Sequence, residues 1–160
     1  MNKLYKEINI PSTINHLGKV ENFVEEICDA YYITNSYFGN ILLSVEEAAK
    51  NAIIHGNKQD KQKIVRISFQ RILNGLSFTI TDQGAGFNYW AVPNPIEQEA
   101  DFRNTGTGIF LIRALADKVS YNLKGNQIEI VFYISSISQE TTLNRISKMN
   151  QYFMKQKSMV

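Results

Sequence analysis

The sequence has 160 residues, of which 44% are hydrophobic and 20% are charged, as in an ordinary single globular domain. Its 17 basic and 15 acidic residues give a net charge of +2, and scattered basic residues argue against direct nucleic-acid binding. No apolar run approaches the roughly 18 residues of a membrane span. The start of the chain lacks a signal-peptide core, and its single cysteine, Cys28, excludes an internal disulfide. We therefore expect a cytoplasmic protein without a membrane segment.

The first third of the chain predicts one strand followed by two helices. Residues 4–10 alternate loosely and predict a strand that Pro11 ends. Apolar residues spaced three and four apart from Leu17 to Tyr31 predict the first helix. A second helix is expected from Ser36 to His55, with Gly56 as its C-terminal stop.

The rest of the chain predicts two hairpins that are separated by a long loop and a third helix. Residues 82–104 form this connection, whose length is typical of a functional loop or lid. The predicted elements are strands at 64–72 and 76–81 around the turn Asn74-Gly75, a helix from about Gly106, and strands at 118–123 and 127–134. This order predicts an α+β (α/β) two-layer sandwich, in which a mixed, mostly antiparallel sheet carries its helices on one face.

The chain therefore divides into one domain, residues 1–135, and a C-terminal extension, residues 136–160. The extension is polar and basic apart from an apolar stripe of Leu143, Ile146, Met149 and Phe153. That pattern predicts a marginal amphipathic helix. Packing on the domain, assembly and partner binding are open roles for it, and a solvated tail is the default.

The second predicted helix carries Glu47, Asn51 and His55 four residues apart, so we expect them to share one face. An Asn carbonyl oxygen suits Mg²⁺, which takes few protein ligands beside phosphate oxygens. A Glu one turn earlier suits a general base for an attacking hydroxyl or water. His55 either forms a hydrogen bond near the phosphates or has only a structural role at the end of the helix. The alternative for the whole face is a solvated polar surface.

Two glycine-containing segments follow the helix in sequence. Asp82 ends a strand and opens a loop with Gly84 and Gly86, where a carboxylate can accept a hydrogen bond from an exocyclic amine such as that of adenine. Gly106 and Gly108 precede a helix whose N-terminus suits an anion. An ordinary acidic turn and a flexible loop capped by Thr105 are the respective alternatives, but the order of all three segments favours a nucleotide site.

The three segments resemble the motifs of the GHKL ATPases, which have the Bergerat fold. Residues 47–56 match the N box E-x-x-x-N-A-I-x-H-G, and residues 82–87 and 106–109 match the glycine boxes D-x-G-x-G-F and G-x-G-I. The resemblance covers roughly residues 11–134. Within this superfamily the chain is most similar to the anti-sigma-factor serine/threonine kinases of the sporulation and stress-response type.

The resemblance implies an ATP- and Mg²⁺-dependent kinase that phosphorylates an anti-anti-sigma (STAS-type) protein and sequesters a sigma factor, usually as a homodimer. It makes Glu47 the catalytic base, Asn51 the Mg²⁺ ligand and Asp82 the adenine reader. The ATP-binding residues it implies are Asn51, His55, Asp82, Gly84, Gly86, Phe87, Arg103, Thr105, Gly106, Thr107, Gly108 and Ile109. The alternatives are an ATP-binding switch with little or no transfer, and a hydrolase coupled to a larger machine.

Two departures from the family pattern affect the edges of this site. The family often has a basic residue directly before the last glycine box, whereas Arg103 here stands three residues before Gly106. The family often has Thr in the final hairpin beside adenine, whereas this chain has Asn126 and Gln127.

Overall fold

The computed structural model describes residues 4–89 and 107–134, together with residues 147, 149–151 and 154. Its strands are β1 (Tyr5–Pro11), β2 (Ile64–Ile72), β3 (Gly75–Thr81), β4 (Lys118–Tyr121) and β5 (Gln127–Tyr133). Its helices are α1 (Leu17–Ala30), α2 (Asn35–Asn51) and α3 (Thr107–Leu115), with a 3-10 turn (Ile14–His16) before α1 and a π-helical turn (Ala52–Gly56) after α2. No helix within these ranges is both long and apolar enough to cross a membrane.

The five strands form one sheet in the order β1-β2-β3-β5-β4, and its four pairings are all antiparallel. After β3 the chain passes through α3 to the edge strand β4, and β5 then lies between β4 and β3. The first residue of β5, Gln127, is therefore paired with the last residue of β3, Thr81. The segments that follow β3 and precede β5 consequently meet at one end of the sheet.

The hydrophobic core lies between one face of this sheet and the helices. Alternate residues of the central strands are buried on that face, and an aromatic row runs through it, with ring centroids 5.5 Å apart from Tyr31 to Phe69 and again from Phe69 to Phe78. The helices contribute apolar residues at helical spacing, namely Val20, Phe23, Val24, Ile27, Ile41, Val45, Ala48, Ala49 and Ile112. Burial of these two matched patterns holds the layers together.

The opposite face of the sheet is largely polar. The hydroxyl of Ser77 donates to Glu129 Oε1 at 2.7 Å, and the hydroxyl of Thr81 donates to Gln127 Oε1 at 3.1 Å. The predicted α+β fold with helices on one face is thereby confirmed.

The second predicted helix differs at its C-terminal end. It is α-helical only to Asn51 and then widens into the π-helical turn, in which the amide of Asn57 donates to the carbonyl of Ala52 at 2.8 Å, five residues back. The wider turn still ends at Gly56, as predicted, and it directs Asn57 into the protein, where only 1% of that residue is exposed. Such turns often occur at functional sites.

We expect Phe78→Ala to lower the free energy of unfolding by about 3–5 kcal/mol, because it leaves a cavity beneath the helices. Leu73→Ala is the control in the same hairpin, since Leu73 is 92% exposed at the turn and its truncation removes little buried surface. Urea denaturation of both variants checks this. Equal losses in the two variants would contradict the assignment of Phe78 to the core.

Candidate functional site

Asp82 lies where the end of β3 meets the turn after α2. Its Oδ1 accepts the backbone N–H of Gly84 at 2.7 Å. A Cβ at Gly56 would lie 2.3 Å from the Asp82 carboxyl carbon, and one at Gly84 would lie 2.1 Å from the carbonyl oxygen of Gly56. Only glycine is compatible with these approaches, so the N-box segment and the first glycine box form one contiguous structure around a carboxylate.

Asn57 joins the same elements from the buried side. Its amide nitrogen donates to Ser12 Oγ at 2.6 Å and to the carbonyl of Ile64 at 2.9 Å, and its Oδ1 accepts the N–H of Gln83 at 2.7 Å. Gln83 Oε1 accepts the N–H of Ile64 at 2.8 Å, which links the loop to the start of β2. Sequence reasoning missed the role of Asn57, because an Asn that follows a helix-ending Gly is most simply interpreted as a turn residue.

Burial is the main influence on the Asp82 carboxyl and raises its pKa. The hydrogen bond from Gly84 and the charges of Lys124 and Lys63 lower the pKa, but they do not outweigh the desolvation. The carboxylate is therefore held in an environment that disfavours its charge, and carboxyls with such raised pKa values cluster at functional sites.

The loop after Asp82 contacts the β4–β5 turn through backbone atoms. Gly86 and Gly125 both have positive φ, at 83° and 77°. A Cβ at Gly86 would lie 1.8 Å from the carbonyl oxygen of Lys124, and a Cβ at Gly125 would lie 2.2 Å from that of Phe87. These two positions need glycine both for their conformation and for their close contact.

The β4–β5 turn is organised by Asn122 and is tied to Asp82 by Asn126. Asn122 Oδ1 accepts the amides of Gly125, Asn126 and Gln127 at 2.8–3.2 Å, which ends β4 at Tyr121, two residues before the predicted end. The side-chain amide of Asn126 donates from Nδ2 to the backbone carbonyl of Asp82 at 2.9 Å.

The two residues considered in place of the family's Thr thus differ in position. Asn126 adjoins Asp82 through this hydrogen bond. Gln127 bonds to Thr81 on the sheet face opposite the core residues Ile80 and Ile128, so its side chain faces away from the helices.

An aromatic cluster lies beside these loops. The rings of Tyr89 and Tyr121 stack at 4.6 Å with an interplanar angle of 16°, and Phe87 meets Tyr121 edge-on at 5.5 Å. Burial of the Tyr121 ring in this cluster raises the pKa of its hydroxyl to about 12. Phe87 is 43% exposed and gives this side of the site an apolar surface.

Glu47 and Asn51 face the first turn of α3. A Cβ at Gly108 would lie 2.9 Å from Glu47 Oε2 and 3.3 Å from the Asn51 amide nitrogen, so glycine lets α3 approach both side chains. Lys50 donates to the other Glu47 oxygen, Oε1, at 2.9 Å, a contact that sequence reasoning also missed. Ile109, the residue after Gly108, is buried.

The remaining predicted site residues have different outcomes. His55 lies in the π-helical turn and is exposed, and its neighbour Gly56 supplies the contact with Asp82. The widened turn begins between Asn51 and His55, so their spacing no longer corresponds to one α-helical turn. Thr107 begins α3. Arg103, Thr105 and Gly106 lie outside the described residues.

The described ranges contain no group of three or more His, Cys, Asp or Glu side chains that could hold a metal ion. The Asn51 amide oxygen beside Gly108 nevertheless suits a hard cation that takes its other ligands from phosphate and water, as Mg²⁺ does.

The raised pKa of Asp82 means that the folded protein binds a proton there more tightly than the unfolded chain. The contribution of this carboxyl to stability is therefore complete below the unfolded pKa and is lost as the pH rises through the folded pKa. We expect Asp82→Asn, which mimics the protonated form and keeps the acceptor for Gly84, to increase the free energy of unfolding at pH 7. The increase should shrink toward zero as the pH falls to about 4.

Urea denaturation between these pH values checks this, with Asp60→Asn as the control. Asp60 is an exposed carboxylate that also accepts a backbone N–H two residues on. A pH-independent effect in Asp82→Asn, or one no larger than in the control, would contradict the expectation.

Comparison with known proteins identifies the family of this chain. The histidine kinase-like ATPase domain family matches residues 10–132. The chain is 26% identical over 136 residues to the serine-protein kinase RsbW of Staphylococcus aureus (strain JH9), which covers 80% of this chain and 86% of the relative. It is 25% identical over 138 residues to the serine-protein kinase RsbW of Staphylococcus epidermidis, which covers 81% and 87%. The family match begins at residue 10, near the end of β1, and continues to residue 132 in β5, so it spans all three motifs. The chain therefore belongs to the histidine kinase-like ATPase domain family, within the GHKL superfamily.

Proposed function

We propose that this protein is an ATP- and Mg²⁺-dependent serine/threonine kinase of the anti-sigma-factor type. The observation that carries the proposal is the approach of Gly108, in the first turn of α3, to both Glu47 and Asn51 of α2. A candidate base and a candidate metal ligand thus lie next to the N-terminus of α3. The proposal is also supported by two relatives named serine-protein kinase, whose similarity covers 80% and 81% of this chain.

In this proposal ATP lies between the helices and the helix-facing side of the sheet. Asp82 accepts a hydrogen bond from the exocyclic amine of adenine. Because burial disfavours the negative charge of Asp82, a hydrogen bond to the carboxylate stabilises the bound state more than it would at an exposed position. Gly84, Gly86 and Phe87 shape the adenine side of the site. Asn126 holds the Asp82 backbone in position rather than reading the base itself.

The phosphates lie at the N-terminus of α3. Backbone amides at a helix N-terminus attract anions, and Thr107 and Gly108 belong to that turn. Gly106, Thr105 and Arg103 extend the same segment in the sequence. Asn51 supplies a ligand to Mg²⁺, which would neutralise charge on the phosphate oxygens.

The proposed reaction is a single phosphoryl transfer. A serine or threonine hydroxyl oxygen of the acceptor protein bonds to the γ-phosphorus, while the bond from that phosphorus to the β–γ bridging oxygen breaks and releases ADP. Glu47 accepts the hydroxyl proton. We assign this role to Oε2 of Glu47, because Oε1 already accepts a hydrogen bond from Lys50.

The acceptor in this proposal is an anti-anti-sigma protein of STAS type, and the kinase also sequesters a sigma factor in the cytoplasm as a homodimer. Protein contacts rather than nucleic-acid contacts suit a chain with a net charge of only +2. An ATP-binding switch of the same fold is the alternative, and it differs in needing no proton acceptor at position 47.

We expect Glu47→Gln to retain ATP affinity and to lower phosphoryl transfer by at least about 10²-fold, the scale of a positioned general base. Purified protein, Mg²⁺ and labelled ATP are mixed with the candidate anti-anti-sigma proteins from the same genome, and label on the partner is measured. Glu46→Gln is the control, because Glu46 is the adjacent carboxylate on α2, and its pKa is raised first by burial and then by the charge of Glu21 on α1. Equal transfer by Glu47→Gln and wild type would rule out the base, and ATP binding without any transfer would favour the switch.

We expect Gly108→Ala to weaken ATP binding by about tenfold or more, because the added methyl group enters the space beside Glu47 and Asn51 and displaces groups that must be preorganised. Gly39→Ala on α2 is the control, since a Cβ there meets nothing within 4 Å. Isothermal titration calorimetry with Mg·ATP measures both. Unchanged affinity in Gly108→Ala would remove this contact from the nucleotide site.

A further inference from the structure

The two oxygens of the Glu47 carboxylate have different surroundings. Oε1 accepts a hydrogen bond from the Lys50 ammonium at 2.9 Å, whereas Oε2 lies beside Gly108 in the first turn of α3. Glu47 and Lys50 are three residues apart on α2, so their side chains are neighbours on one helix face. Lys50 thus engages one oxygen and leaves the other directed at α3.

This ion pair has little value for folding alone. The Lys50 side chain is 42% exposed and that of Glu47 is 19% exposed, and ion pairs with such exposure contribute little to stability. Within the site its effect is larger, because Glu47 has lost most of its contact with water and must remain beside a polyphosphate of the same sign. The Lys50 ammonium compensates that charge, and its hydrogen bond to Oε1 restricts the rotation of the carboxylate.

We propose that Lys50 is a positioning residue for Glu47, which it orients through Oε1 while offsetting the charge of the carboxylate beside the nucleotide phosphates. This inference rests on the proposed function and deepens it. None of the three nucleotide-binding motifs specifies the residue at position 50, so the role belongs to this chain's own sequence. Lys50 acts through Glu47, and its effect must therefore depend on the presence of the Glu47 carboxylate.

A double-mutant cycle tests this dependence in the full chain. Lys50→Met, Lys50→Arg, Glu47→Gln and the double variant Lys50→Met/Glu47→Gln are compared with wild type for phosphoryl transfer at saturating ATP and for Mg·ATP affinity by calorimetry. Lys118→Met is the control for loss of one positive charge, because Lys118 is exposed at the far end of β4, where it is paired with Val131.

We expect Lys50→Met to lower the transfer rate constant by about tenfold and to weaken ATP binding by about threefold or more, within the usual range of coupling between contacting residues. Lys50→Arg should recover most of both, since it restores a cation and donor. In the Glu47→Gln background, Lys50→Met should have no further effect on transfer and a smaller effect on ATP affinity.

Equal fold-changes from Lys50→Met in both backgrounds would overturn the proposal and assign Lys50 to direct phosphate binding. Wild-type rates and affinity in Lys50→Met would overturn it as well. If wild type binds ATP but transfers no phosphate, the kinase proposal fails separately. The affinity cycle still decides the role of Lys50, since coupling to Glu47 supports it and additivity refutes it.

Discussion

The contact between the turn after α2 and the end of β3 is the constraint on which the rest of the site depends. Gly56 and Gly84 approach each other and the Asp82 carboxylate so closely that a single Cβ at either position would overlap with its neighbours. Asn57 secures the contact with hydrogen bonds to three other segments. Because α2 also carries Glu47 and Asn51, this contact sets their position relative to Asp82.

The charged groups of the site are placed where stability alone would not put them. Burial raises the pKa of Asp82, and the Lys50–Glu47 pair is too exposed to contribute much to folding. A partly buried carboxyl with a raised pKa, such as that of Asp82, is more frequent at functional sites than elsewhere.

An identity of about one quarter to the serine-protein kinases described above is compatible with this arrangement. The core between the sheet and the helices is built from ordinary apolar residues, and such cores tolerate substitution when their volume and pattern are retained. The backbone contacts of Gly86 and Gly125 have no comparable tolerance, because both positive φ and close approach exclude a side chain. Few positions therefore constrain the site, and many can vary in the core.

The sequence alone determined the order of the elements, the α+β fold and the three motifs. Periodic apolar residues predicted α1 and β2, and Asn74-Gly75 predicted the β2–β3 turn, because these signals are local. Only the tertiary structure decided that Gly56 abuts Asp82, that Gly108 approaches Glu47, and that Gln127 faces away while Asn126 holds Asp82. The π-helical turn and the buried role of Asn57 were likewise absent from the pattern. Apart from the local π-helical turn, each of these features joins residues that are distant along the chain, so its energy depends on packing between elements rather than on the preference of any one segment.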